Sequence, residues 1–407
     1  MYSNALRVCI LYLLSAGASM LSAQTSAPPT QTTSANAAPA PSPGQAQPNP
    51  PAGAPAAAPA AAPASTPSET WSIGPIDFSG LIDGYYSYNF DHPSDRVNQL
   101  YNFDTEAQQF SLNMAEFRMS HSPDPIGFEL DLGFGRAFDI IHTTEQAPEI
   151  FRYIEQAYVS FKPPKAKGLE IDFGDFVTSA GAEVIETNQN WNYSRSLLFS
   201  WAIPYYHFGL RTSMPLGKYF TAGVQLVNGW NNIEDNNSGK TIGLTEALTV
   251  KKFTWSNNYY TGPENPNTNK GWRNLYDTTL LLTPTDKFNA YINVDYGQNR
   301  NFLAAPNLAK WYGVAGAAHF QISKAISFSP RVEWYKDAQG FTTGTPQTLK
   351  EFTLTGEYKW SQGVLSRLEY RHDFSDVPFF EEGPVPMIAK NQSTVTLGLI
   401  GYFGPRR

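Results

Sequence analysis

Beyond residue 70 the chain alternates apolar and polar positions with a period of two, the spacing of strands with one oily and one wet face. In 288–296, Phe288, Ala290, Ile292, Val294 and Tyr296 fall on one face, and Asn289, Tyr291, Asn293 and Asp295 on the other. The pattern recurs in 128–134, 326–334 and 352–360. It predicts strands near 76–90, 110–120, 126–137, 153–162, 168–177, 205–215, 219–229, 241–250, 252–261, 273–283, 287–298, 310–322, 326–336, 350–360, 364–374 and 393–403. These are about sixteen strands, each near the roughly 10 residues that cross a bilayer at a tilt.

The connectors carry a second pattern. After even-numbered strands they are short and turn-like, as in 215–218, 284–286 and 361–363. After odd-numbered strands they are long and polar: 91–109, 138–152, 178–204, 230–240, 262–272, 299–309, 337–349 and 375–392. An up-and-down membrane barrel requires this parity, with short periplasmic turns and long external loops. A sandwich with Greek-key crossings does not. The expected fold is therefore all-β, a transmembrane antiparallel up-and-down β-barrel of about 16 strands over 71–407. Trp255, Trp311, Trp334, Trp360, Tyr86, Tyr88 and Phe403 fall toward strand ends, where amphipathic rings favour the headgroup level. The last strand would be the assembly signal, although the chain runs on through 404–407.

Composition changes the picture only at the N-terminus. Arg7, the short apolar stretch 8–14 and small residues up to Ala23 form a secretory signal peptide over 1–23. Residues 24–70 are almost only Ala, Pro, Ser, Thr, Gln and Gly, a disordered, extended periplasmic linker that cannot bury a core. The sole cysteine, Cys9, lies in the signal segment, so the mature barrel is expected to lack thiols and disulfides. No apolar run reaches about 18 residues, which excludes a helical membrane protein. The net charge of -7 argues against nucleic acid.

Candidate chemistry is sparse. The six histidines are scattered without metal-ligand spacing, and no phosphate-binding glycine loop is present. No catalytic, cofactor-binding or metal site is expected; a barrel hydrolase using His207 with a nearby serine is the remaining enzymatic alternative. Charges do occur on the faces opposite the lipid-facing sets. Glu129, Asp131, Asp295, Arg331, Glu333, Arg367, Glu369 and Arg371 are the candidate pore-lining residues, marking a wet interior rather than a packed one.

Three segments carry a resemblance. FGDFVTSAGAE at 173–183, NYSRSLLF at 192–199 and PYYHFGLR at 204–211 resemble the OmpL-like β-barrel porins, across nearly all of 71–407. The resemblance implies an outer-membrane pore for small polar solutes, without cofactor or catalysis, and supplies no ligand residues. By analogy with sixteen-stranded general porins, the loop 178–204 after the fifth strand would fold inward. Glu183, Glu186, Arg195 and Arg211 are then the candidate constriction, with the two carboxylates facing Arg195 or Arg211; the alternative is an external loop packed on its neighbours. The resulting expectation is an outer-membrane porin for passive diffusion of small hydrophilic solutes, with both termini periplasmic. Its partners would be outer-membrane lipid, the solutes, further copies of the chain as a homo-oligomer, and the cell wall through 24–70. The alternative function is a non-channel outer-membrane barrel, an adhesin or a hydrolase.

Overall fold

In the computed structural model, residues 71–300, 308–361 and 363–404 are described. The expected signal peptide and linker, 1–70, lie outside them. Sixteen strands form the wall: β1 Ile76–Asn89, β2 Phe110–His121, β3 Ile126–Phe134, β4 Ile154–Phe161, β5 Glu170–Val177, β6 Tyr206–Pro215, β7 Phe220–Val227 and β8 Thr241–Val250. The second half comprises β9 Phe253–Pro263, β10 Trp272–Thr285, β11 Phe288–Asn299, β12 Ala309–Gln321, β13 Ile326–Asp337, β14 Gln347–Ser361, β15 Val364–Ser375 and β16 Asn391–Phe403. Each pairs antiparallel with its sequence neighbours, and β16 closes on β1 from Thr394↔Asn89 to Phe403↔Gly80. Closure removes the exposed sheet edge that lipid could not satisfy.

The burial pattern is inverted relative to a water-soluble protein. On β11, Ile292 and Tyr296 are 50% and 42% exposed, while Asn293 and Asp295 are 2% and 1% exposed. Apolar side chains thus face outward to lipid and polar ones inward. Glu246 departs from this rule. It lies exposed on the outer face of β8 between Leu244 and Leu248, beside Ala222 and Asn257 of the flanking strands.

The expected connector parity is present, although the turn 162–169 is as long as the loop 264–271, eight residues each. Here β5 starts two residues late and β9 runs to Pro263, evening out the lengths. Three local expectations are corrected. Strand β3 stops at Phe134, not residue 137, because Gly135 at φ +112 turns the chain into helix α1, Arg136–Ile141. Trp311 is not at the lipid interface; it is fully buried inside, its indole N–H donating to the Ala202 carbonyl at 2.9 Å. The interior is also not simply wet. The inward charges are mostly buried, and an apolar cluster including Phe103, Phe138, Leu198, Phe199, Trp311 and Tyr335 fills part of the lumen.

Candidate pore constriction

The filling comes chiefly from the loop 178–205 between β5 and β6. Its neck is closed by the Thr178 N–H donating to the Tyr205 carbonyl at 2.8 Å. Beyond it the chain leaves the sheet, and most of its residues are buried against wall strands distant in sequence. A loop cannot repeat a strand's ladder, so its backbone N–H and C=O groups need other partners. The inward wall charges provide them.

Glu369 on β15 accepts the N–H groups of Tyr193 and Ser194 at 2.6 and 2.9 Å. Glu333 on β13 accepts those of Leu197 and Leu198 at 2.9 and 3.2 Å. These last two are orphan donors at the start of helix α2, Leu197–Trp201, which Ser196 also caps by accepting from the Phe199 N–H at 3.0 Å. Arginines serve the loop carbonyls: Arg367 donates to Thr187 and Asn192 at 2.7 and 3.0 Å, and Arg371 to Arg195 at 2.8 Å. Tyr193 also donates its hydroxyl at 2.7 Å to Asp83 of β1, the strand on the other side of β16 from β15. Its ring lies so close to β16 that a Cβ on Gly398 would meet ring carbons at 2.2 Å.

Among the expected constriction residues, Glu183 and Glu186 do lie inside, but with other partners. Glu183 pairs with Arg331 of β13 at 2.8 Å and accepts from the Ser196 N–H at 2.6 Å. Glu186 pairs with Arg118 of β2 at 2.7 Å. Arg195 makes no ion pair among the described residues; its guanidinium binds the Val184, Ile185 and Tyr193 carbonyls and so ties the loop to itself. Arg211 meets neither loop carboxylate. It pairs with Asp172 at 2.7 Å and lies over the Tyr158 and Phe176 rings. The cause is register: Arg211 stands directly opposite Asp172 in the β5–β6 ladder.

All eight expected lining residues sit on the inward phase of their strands. Arg331 also contacts Glu333 and Glu351 at 3.3 Å each, Arg371 pairs with Asp373 at 2.8 Å, and Asp295 lies near Asp277. Glu129 and Asp131 instead belong to a separate arc, where Arg118 contacts them at 3.2 and 2.8 Å and Glu116 at 3.3 Å. Glu116, Arg118, Glu351 and Asp373 were missed as site residues, although all follow the inward alternation of their strands. His207 is a satisfied interior histidine, bonded to the Gly229 carbonyl and Thr178 and stacked on Tyr260, with no serine bonded to it among the described residues.

On the loop side, residues including Asn102, Gln146, Trp201, Asn231, Arg273 and Thr342 line a cavity of about 520 Å³. Every loop contributing to it follows an odd-numbered strand, except that Arg273 and Trp311 come from the wall. It forms a polar and aromatic vestibule above the packed loop.

Comparison with known proteins agrees with this architecture. Structures of similar fold include in-vitro-folded OmpT, an outer membrane protein of Vibrio cholerae, at 11% identity and TM-score 0.54, covering 81% of this chain and 97% of that one. The outer membrane channel DcaP of Acinetobacter baumannii is similar at 10% identity and TM-score 0.53, with 83% and 99% covered. An anion-selective porin from Comamonas acidovorans is similar at 9% identity and TM-score 0.53, with 81% and 99% covered. No curated protein matches the sequence. The family model described as "Putative beta-barrel porin-2, OmpL-like" matches residues 75–403, which spans the whole closed barrel. The chain therefore belongs to the OmpL-like β-barrel porin family of the outer membrane.

Proposed function

We propose that this barrel is a water-filled channel for passive diffusion of small hydrophilic solutes, without catalysis. The observation that carries the reading is the loop 178–205 drawn into the lumen and bound to wall charges, because a loop so placed sets the width and field of a passage. The vestibule of about 520 Å³ supplies a polar entrance on the loop side. Near Glu186, carboxylates outnumber guanidinium groups, which favours cations. The Comamonas porin of similar fold is described as anion-selective; in this barrel the sign of selectivity is assigned to the lining charges.

Reconstitution of folded protein into planar bilayers tests the proposal, with stepwise conductance as the expected result. Silence from folded barrel refutes it and supports the second reading, a non-channel barrel, which is favoured by Arg331 and Arg367 being only 1% exposed. Within a conducting barrel, Glu183→Gln combined with Glu186→Gln lowers cation preference in reversal-potential measurements; an unchanged potential removes these residues from the constriction.

The proposed topology puts both termini in the periplasm, with 1–23 removed and 24–70 reaching toward the cell wall. A cell-wall pull-down with and without 24–70 tests the reach, and equal recovery refutes it. A homo-oligomer is supported by strands β3–β8, only 8–10 residues each, and by the outward Glu246, which lipid disfavours. Cross-linking in intact outer membranes should yield multimers, and monomer alone would count against it.

A further inference from the structure

Among the described residues, the arc formed by β2, β3 and β4 gathers more carboxylates than guanidinium groups. Five carboxylates, Glu116, Glu129, Asp131, Glu155 and Glu186, surround the guanidinium of Arg118. Four of them touch it. Glu155 does not, and both its carboxylate oxygens lack a hydrogen-bond partner among the described residues although the residue is only 3% exposed.

Glu155 reaches the interior through an irregularity in the sheet. Asp131 pairs with Gln156 and Leu132 with Ile154, so Glu155 is the extra residue of a β-bulge. Consequently both Glu155 and Gln156 are buried on the lumen side. Gln156 donates to Asp131 at 2.6 Å, while Glu155 meets no donor. The bulge therefore aims an unpaired buried carboxylate at two others.

Those two present free oxygens in return. Arg118 occupies Glu116 Oε1 and Asp131 Oδ2, leaving Glu116 Oε2 and Asp131 Oδ1 without hydrogen-bond partners. Carboxylate oxygens of Glu116, Asp131 and Glu155 lie within 4.8 Å of one another. Calcium holds its oxygen ligands at about 2.3–2.6 Å, so ligands across the ion are up to about 5 Å apart; magnesium at about 2.0–2.1 Å needs a tighter set. Buried carboxylates without donors are costly unless paired or coordinated to a metal.

We propose that Glu116, Asp131 and Glu155 form a hard divalent-cation site in the barrel wall, with calcium as the preferred ion and water completing its shell. The sequence offered no sign of it, since histidine and cysteine spacing is silent on an all-oxygen site. The ion balances the acidic arc where Glu186 anchors the lumen loop. Binding does not require that the barrel conduct, so this proposal and the channel reading fail independently.

The test is calorimetric titration of calcium into full-length folded barrel prepared in chelator, with magnesium as competitor. Refolding in calcium and in chelator allows for slow entry to a buried site. One saturable calcium site is expected, with Kd on the order of 10⁻⁴ M or tighter. Glu155→Gln should weaken it at least tenfold, and Glu234→Gln, on an exposed loop position, should leave it unchanged. Wild-type barrel without saturable binding overturns the proposal, as does Glu155→Gln binding calcium like wild type. If Glu155→Gln does not fold, Glu116→Gln is read by the same criteria alongside the wild-type isotherm.

Discussion

Replacing Arg331 by Met should release the lumen loop while leaving the barrel closed. Arg331 is 1% exposed and contacts Glu183, Glu333 and Glu351 while donating to the Ser194 carbonyl at 2.7 Å. Removing one partner of a buried ion pair costs about 3–5 kcal/mol, chiefly through the charge left behind. Glu333 would keep the Leu197 and Leu198 N–H groups, and Glu351 would keep Thr353 and a 4.0 Å contact with Arg371. Glu183 would keep mainly the Ser196 N–H. The remaining support places the loss near the lower end, about 3 kcal/mol, which shifts loop docking by roughly a hundredfold. Arg195 is the loop's only Lys or Arg and is 2% exposed, so trypsin cleavage there reports release, and channel conductance should rise in parallel. Arg331→Met with Glu183→Gln should recover much of the protection, because no charge is then stranded at Glu183. Wild-type protection and conductance in the single variant would refute the reasoning, as would a double variant as labile as the single one.

Two further outcomes follow from the same packing. Gly398→Ala puts a methyl where Tyr193 now lies, with ring carbons at 2.2 and 2.5 Å; overpacking of about 1–3 kcal/mol should increase Arg195 cleavage, and an unchanged rate would show that the ring is not held there. Burial, reinforced by Glu369 and opposed by Arg371, pushes the Asp104 carboxyl in the loop after β1 up to about 7. The folded state therefore keeps a proton between about pH 4 and 7 that the unfolded chain has lost, so stability falls as pH rises through that window, by an upper bound of about 4 kcal/mol. Asp104→Asn should flatten this slope in urea unfolding at pH 5 and 8, and an identical slope in both proteins would refute the assignment.

The wall was legible because lipid imposes a single rule on every strand. Residues facing hydrocarbon are predominantly apolar, with Glu246 an exception, and their neighbours along the strand face the lumen; this places all sixteen strands within three residues of their observed ends. The errors have local causes. At Gly135 a positive φ turns the chain before the alternation in the sequence runs out. Trp311 has the residue type of an interfacial girdle but the parity of the lumen, and parity decides its place. Glu155 was invisible because a bulge breaks period two at that residue, and no sequence count of alternating positions registers an extra residue.

The partners within the lumen were not legible, for a different reason. Alternation fixes the side a residue faces but not what crosses the barrel to meet it, and the decisive contacts link residues far apart, Glu183 with Arg331 and Tyr193 with Glu369. Arg211 shows the contrast. Its nearest carboxylate was already fixed by the ladder, so it was not available to the loop. The same logic alters how inward charge should be read. Arg331, Arg367 and Arg371 and the carboxylates beside them bind loop backbone and one another, so they contribute little free field to a passing solute. The β2–β4 arc, where four carboxylates contact Arg118 and Glu155 meets no donor among the described residues, retains its imbalance. Selectivity should therefore respond to charge neutralisation, or to calcium, on that arc more than on the far richer array of β13–β15.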